Sequence, residues 1–124
     1  MLGESVPFVG NFITITYHQN TGAAFGLFVG RTPALSLVSV LFIFLTVIYL
    51  LKSPKQSFRL PLALVLGGAV GNLIDRLRYG FVIDFIDVKF WPIFNLADSA
   101  ITCGVLLMLA RILARPPRSK ESAV

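Results

Sequence analysis

Four of the six acidic residues in the chain, Asp75, Asp84, Asp87 and Asp98, fall between positions 75 and 98. Carboxylates held close together cannot all ionise easily, so one keeps its proton near neutral pH while its partner is charged. Such a pair suits hydrolysis by general acid–base catalysis. The ionised group takes a proton from water, and the protonated one polarises a carbonyl and then supplies the leaving amine. Other chemistries have less to work with. His18 is the sole histidine and Cys103 the sole cysteine, too few for the common zinc sites, and no metal or other cofactor is expected. A disulfide within one chain is impossible. Ser36 and Ser99 lack a histidine or well-placed lysine partner for nucleophilic catalysis. His18 itself reads as an ordinary surface histidine.

The elements that must position these acids are membrane elements. The 124 residues suffice for one domain, and 56% are hydrophobic against 14% charged, with a mean hydropathy of +0.80. In water a domain of this size would expose a large apolar surface and aggregate. Three apolar segments, 32–51, 60–77 and 93–112, are long enough to span a bilayer as helices. The net charge of +5 does not point to nucleic acid, because the basic residues sit at the ends of apolar runs rather than among aromatics. Lys52, Lys55, Arg59, Arg111, Arg115, Arg118 and Lys120 are seven of the eleven, and they fall in the first inter-helix loop and the tail. The positive-inside rule makes those parts cytoplasmic and turns residues 1–31 and 76–94 outward. Residues 1–30 show neither the basic start nor the apolar stretch of a removable signal peptide. Phe12 to Tyr17 alternates and is rich in β-branched residues, which predicts a short strand or hairpin arm in an outer β region over 1–31. The tail, 113–124, is polar and broken by Pro116 and Pro117, so disorder is expected there. The whole chain, 1–124, reads as a single membrane domain.

This topology brings the acids to one membrane interface. The second helix delivers Asp75 at its outer end, the third begins with Asp98, and the short connection carries Asp84 and Asp87. Acids next to hydrocarbon are costly and are functional candidates by default. Asp98 also has a structural reading, as the N3 partner of an Asn95 N-cap, and both readings stand. Asp75 opposes the dipole at a helix C-terminus, with Arg76 and Arg78 nearby to compensate. Asp84, flanked by Phe81, Val82, Ile83 and Phe85, has company unlike that of a solvated loop acid, whereas Asp87 suits a solvated surface. Gly67, Gly68 and Gly71 suit close helix packing, and Asn72 beside them requires polar partners that the carboxylates could supply. Phe90, Trp91 and Phe94 resemble an interfacial aromatic belt.

Four strings in order carry a family resemblance: Asn20-Thr21-Gly22-Ala23-Ala24-Phe25-Gly26, Gly71-Asn72-Leu73-Ile74-Asp75-Arg76, Val82-Ile83-Asp84-Phe85 and Phe94-Asn95-Leu96-Ala97-Asp98. Together they resemble the motifs of lipoprotein signal peptidase, also called signal peptidase II, over nearly the whole chain except the basic tail. The resemblance implies a mainly α fold, a polytopic membrane helical bundle with a small extracytoplasmic β-sheet lying on the membrane beside the substrate. It implies an aspartyl endopeptidase of the bacterial inner membrane, working at the extracytoplasmic face with its C-terminus in the cytoplasm. The substrate would be a prolipoprotein already carrying a diacylglyceryl group, cut just before the lipidated cysteine. The other partners would be membrane lipids, with no nucleic acid, and the enzyme would be a monomer. Carried over by motif, Asp84 and Asp98 are the catalytic pair, and Asn20, Gly22, Asn72, Asp75, Arg76 and Asn95 line and hold the site. The dipole of the third helix favours the charged form of Asp98 and makes it the choice for general base.

The family has four membrane helices, the first carrying an Asp and a Lys, and Met1 to Pro7 resembles the segment that follows it. The expectation is therefore a misplaced start, a fragment or a shortened variant. Two other readings follow from the same residues. One is a truncated inactive relative. The other is a small membrane transport or structural subunit, and a transporter would place its acids at mid-membrane depth.

Overall fold

The structure, a computed structural model, describes residues 3–22, 30–52 and 55–114. Their elements run β1 (Ser5–Val9), β2 (Ile13–Asn20), α1 (Thr32–Leu51), α2 (Gln56–Tyr79), β3 (Val82–Asp87) and α3 (Leu96–Leu113). The fold is mainly helical. All three helices are long and apolar enough to cross a membrane, and the strands form one antiparallel sheet in the order β1-β2-β3. Residues 23–29 of the outer region and 115–124 of the tail expected to be disordered lie outside the described residues.

Each helix boundary has a local cause. α1 coincides with the uncharged run from Thr32 to Leu51. Its hydroxyls turn back onto its own carbonyls, Ser39 to Leu35 at 2.9 Å and Thr46 to Phe42 at 2.7 Å, which satisfies them without water. α2 starts at Gln56, four residues ahead of the apolar run at Leu60, since Arg59 can keep its stem on apolar surface and its head in water. It ends where Gly80 adopts a left-handed conformation (φ 78°) and its N–H returns to the Arg76 carbonyl, a conformation that suits glycine. α3 begins at Leu96 rather than 93 because Phe94 is spent on backbone pairing: its N–H and carbonyl both bond Ile86, at 3.1 and 2.8 Å. Asn95 then caps the helix.

α2 and α3 approach closely, and glycine permits it. A methyl on Gly68 would strike the Ala97 carbonyl and lie 2.6 Å from Ile101 Cγ1, and one on Gly104 would lie 2.6 Å from the Pro61 carbonyl and from Val65 Cγ2. Pro61 has no N–H to offer the Ser57 carbonyl four residues back. The Arg111 guanidinium of α3 bonds that carbonyl instead, closing the far end of the helix pair. At the near end the Thr32 hydroxyl, at the start of α1, lies 2.9 Å from the Gly80 carbonyl and 3.2 Å from that of Thr21. The start of α1, the end of α2 and the start of α3 thus share one end of the bundle, and the sheet is there too.

The distribution of polarity is that of a molecule built for lipid. Among the described residues, Val65 and Val82 are the buried hydrophobic ones, whereas Thr14, Thr16, Thr46, Asn72, Asp84 and Asn95 are buried polar ones. The helices expose large apolar side chains such as Leu37, Leu41, Phe44, Leu106 and Leu109. Among the described residues no buried side-chain nitrogen or oxygen lacks a hydrogen-bond partner.

Candidate active site

The connection expected to be a short loop contains β3, and β3 is where the site begins. Antiparallel pairing sets Ile15 opposite Ile86 but His18 opposite Asp84, so the register slips by one residue between them. Such a bulge re-aims every side chain beyond it. With strict alternation from Ile15, Tyr17 would face Asp84 and Asn20 would turn to the opposite face. With the bulge, Asn20 donates its amide to Asp84 Oδ2 at 3.1 Å. The Gly22 N–H bonds Asn20 Oδ1 at 2.9 Å, a local turn that holds the carboxamide oxygen back and leaves the NH₂ group facing the carboxylate. The Asn20 and Gly22 expected at the site are both there.

From Asp84 the network continues through two amides. Asn95 Nδ2 donates to Asp84 Oδ1 at 3.1 Å and to Asn72 Oδ1 at 2.9 Å, and it lies 3.3 Å from the Ile83 carbonyl. Asn72 Nδ2 donates to Asp98 Oδ1 at 3.0 Å. The cap closes the circuit: the Asp98 N–H bonds Asn95 Oδ1 at 2.9 Å, and the Asn95 N–H bonds Asp98 Oδ2 at 3.1 Å. The structural and functional readings of Asp98 therefore do not compete. Its helix-capping geometry is what turns Asn95 toward Asp84. Asp84 and Asp98 both line one cavity of about 940 Å³, which Asn20, Gly22, Asn72 and Arg76 line as well.

Asp84 is an acid whose charged form the fold opposes. Asp84 is 2% exposed, and that burial raises its pKa to about 6. The Asp98 charge pushes the same way, while the Asn20 and Asn95 amides and His18 oppose it. Burial wins because few water molecules remain to solvate the anion. Asp87 behaves oppositely: the Lys89 ammonium at 2.9 Å holds it below the usual carboxylate range. That ion pair, with Lys89 Nζ also 3.0 Å from Thr14 Oγ1, fixes Lys89 at a positive φ of 71° and turns the chain back toward Asn95.

Two predicted supporting residues act differently from one another. Asp75 does not line the main cavity; its Oδ2 accepts the Ile83 N–H at 3.1 Å, tying the start of β3 to the end of α2. Arg76 does line it, reaching across to Ser39 Oγ of α1 at 3.2 Å and lying within electrostatic range of Asp98 and Asp84. Two residues that the sequence reading set aside also line it, His18 and Trp91. β2 runs on past Tyr17 to Asn20, and alternation back from Asn20 is the signal that marks His18. Trp91 reads equally well as an interfacial aromatic and carried no separate signal.

The model of the family described as signal peptidase (SPase) II matches residues 1–114. The chain belongs to the signal peptidase II family. Signal peptidase II enzymes are aspartic-type peptidases, which accords with a site built on two carboxylates. The chain is 49% identical over 112 residues to the lipoprotein signal peptidase of Moorella thermoacetica, covering 89% of this chain and 75% of the relative. It is 46% identical over 121 residues to that of Syntrophomonas wolfei, covering 97% and 81%. A solved structure described as a bacterial membrane enzyme, determined by the in meso method, superposes with a TM-score of 0.90 at 33% identity. That match covers 100% of this chain and 79% of the other. The three-helix bundle with its small antiparallel sheet is thus a signal peptidase II fold, and the chain is a membrane protein.

Proposed function

We propose that this chain removes signal peptides from prolipoproteins bearing a diacylglyceryl group, cutting just before the lipidated cysteine, with Asp84 and Asp98 as its catalytic pair. The observation that carries the reading is the amide bridge from Asp84 through Asn95 and Asn72 to Asp98 at a single cavity. Asn20 and Gly22 orient Asp84, Asn72 and Asn95 hold the pair in register, Asp75 anchors β3, and Arg76 faces the cavity as a cation.

Burial raises the Asp84 pKa to about 6, so this carboxyl holds a proton more readily than an ordinary carboxylate, which supports Asp84 as the acid; the position of Asp98 in the first turn of α3 supports it as the base. A water molecule between them gives a proton to Asp98 as its oxygen attacks the scissile carbonyl carbon. Asp84 gives its proton to the carbonyl oxygen, so the tetrahedral species forms without an uncompensated charge. When the C–N bond breaks, the nitrogen takes the proton held by Asp98 and the diol returns one to Asp84. Both carboxyl groups end as they began, and no covalent intermediate forms.

The proposal places the cavity end of the bundle at the extracytoplasmic face of the bacterial inner membrane, with the C-terminus cytoplasmic and the enzyme working as a monomer among lipids. Apolar Ile93, Phe94 and Ile101 on the cavity wall suit an acylated substrate. The acids gather at one end of the bundle rather than along its length, which does not favour an ion path. Asp84→Asn and Asp98→Asn are each expected to lower cleavage of a lipidated precursor by about 10²- to 10⁴-fold, with both proteins still in the membrane. Full processing by either variant would remove that residue from the pair.

A further inference from the structure

Among the described residues α1 supplies nothing to the cavity wall, yet one of its side chains reaches the site through a neighbour. Arg76 Nη1 donates to Ser39 Oγ at 3.2 Å. The Ser39 hydroxyl in turn gives its own proton to the Leu35 carbonyl at 2.9 Å. A hydroxyl has one proton and two lone pairs, so Ser39 meets Arg76 purely as an acceptor. Thr46, further along α1, bonds back to Phe42 in the same way and carries no guanidinium.

This bond decides where a charge sits. Arg76 is a cation at every working pH and lies within electrostatic range of Asp98 and Asp84. In a site poor in water, a guanidinium closes on a carboxylate unless both are otherwise held. Here both are. Asp98 accepts from the Asn72 amide and the Asn95 N–H, Asp84 accepts from Asn20 and Asn95, and Arg76 donates to Ser39. Among the described residues the Arg76 side chain forms no other hydrogen bond and no ion pair. A guanidinium has five N–H donors; Ser39 takes one and leaves the rest to what enters the cavity.

We infer that Ser39 is a positioning residue of this peptidase, whose hydroxyl holds the Arg76 guanidinium off the two carboxylates and keeps it turned to the precursor. The inference rests on Asp84 and Asp98 being the reacting pair. Without Ser39 the guanidinium pairs with Asp98, so the base loses the lone pair that takes a proton from water and the precursor loses its donors. A neutral oxygen suits the task, because it fixes the cation without cancelling its charge.

Ser39→Ala is expected to lower kcat/KM for a lipidated precursor by about tenfold. Thr46→Ala removes an equivalent back-bonded hydroxyl from the same helix and is expected to stay within about twofold of wild type. Equal losses in the two would make the hydroxyl a feature of the helix alone and overturn the inference. The deciding measurement is a double-mutant cycle. In an Arg76→Gln background Ser39→Ala should cost nothing further, and an undiminished loss there means that Ser39 does not act through Arg76. The cycle can also be read without turnover, on the affinity of the Asp84→Asn protein for an uncleaved precursor. Ser39→Ala is expected to weaken that binding about fivefold when Arg76 is present and not when it is replaced. Affinity that ignores Ser39 in both backgrounds overturns the inference. Full cleavage by Asp84→Asn would sink the catalytic reading instead, so the two failures are distinguishable.

Discussion

Asn95 serves two ends with one carboxamide: its oxygen caps α3 and its nitrogen links Asp84 to Asn72. The two roles separate by substitution. Asn95→Ser keeps a side-chain oxygen for the cap and removes the link, so cleavage is expected to fall about a hundredfold while thermal stability in detergent changes little. Asn95→Ala removes both and is expected to cost about 1 kcal/mol more than the serine variant. Equal melting temperatures for the two would argue against the cap. Asp84 makes a different prediction. Its pKa of about 6 in the folded protein lies above the ordinary carboxylate value near ~4, so between those values the folded state keeps a proton that the unfolded chain has released. The stability linked to this group is therefore fully present below pH 4 and lost as pH rises through 6, by at most about 3 kcal/mol. Melting temperature measured from pH 4 to 8 should fall relative to Asp84→Asn over that window. A constant offset between the two curves would contradict the assignment.

At the scale of elements, the site depends on how closely α2 and α3 can run. Gly68 faces Ala97, the residue before Asp98, and Gly104 faces Pro61 and Val65, whereas a methyl on Gly67 meets nothing within 4 Å. Gly68→Ala and Gly104→Ala are expected to destabilise the protein by about 1–3 kcal/mol through overpacking. Gly67→Ala should be neutral or slightly stabilising, because alanine suits a helix better. Gly68→Ala should also reduce cleavage more than Gly104→Ala, since it displaces the turn that carries Asp98. Thermal melts and cleavage assays on the three variants check the ranking, and a stable, fully active Gly68→Ala protein would rule out the close approach. The sheet contributes through its irregularity: without the bulge in β2, neither Asn20 nor His18 would face Asp84.

For the whole molecule, polarity is segregated both radially and end to end. Polar side chains fill the interior and apolar ones cover the helices. The carboxylates of the site lie where α1 begins and α2 ends, while Lys52, Lys55, Arg59 and Arg111 lie at or near the opposite helix ends. That asymmetry predicts the orientation. In a Cys103→Ala background, Phe90→Cys, at a position 87% exposed beside the site, should react with a membrane-impermeant maleimide added to spheroplasts, and Lys55→Cys should react only after lysis. The reverse pattern would invert the proposed topology.

What was legible in the sequence was what local patterns dictate. An uncharged run of twenty residues specified α1, Asn95 three residues before Asp98 specified the capping box, and helix order brought the acids to one end. α3 starts later than hydropathy indicates because Phe94 pairs with Ile86, a contact that hydropathy does not register. β3 leaves little local mark because its hydrogen bonds go to β2, more than sixty residues away in sequence. The faces of His18 and Asn20 were likewise decided by tertiary structure, since period-two alternation carries no mark of where a ladder slips. The sequence by itself determined which groups meet at one membrane edge, because hydrophobic length and chain direction act locally. Only the packing of α2, β3 and α3 decided which amide reaches which carboxylate, because those bonds join segments that have no contact until the chain is folded.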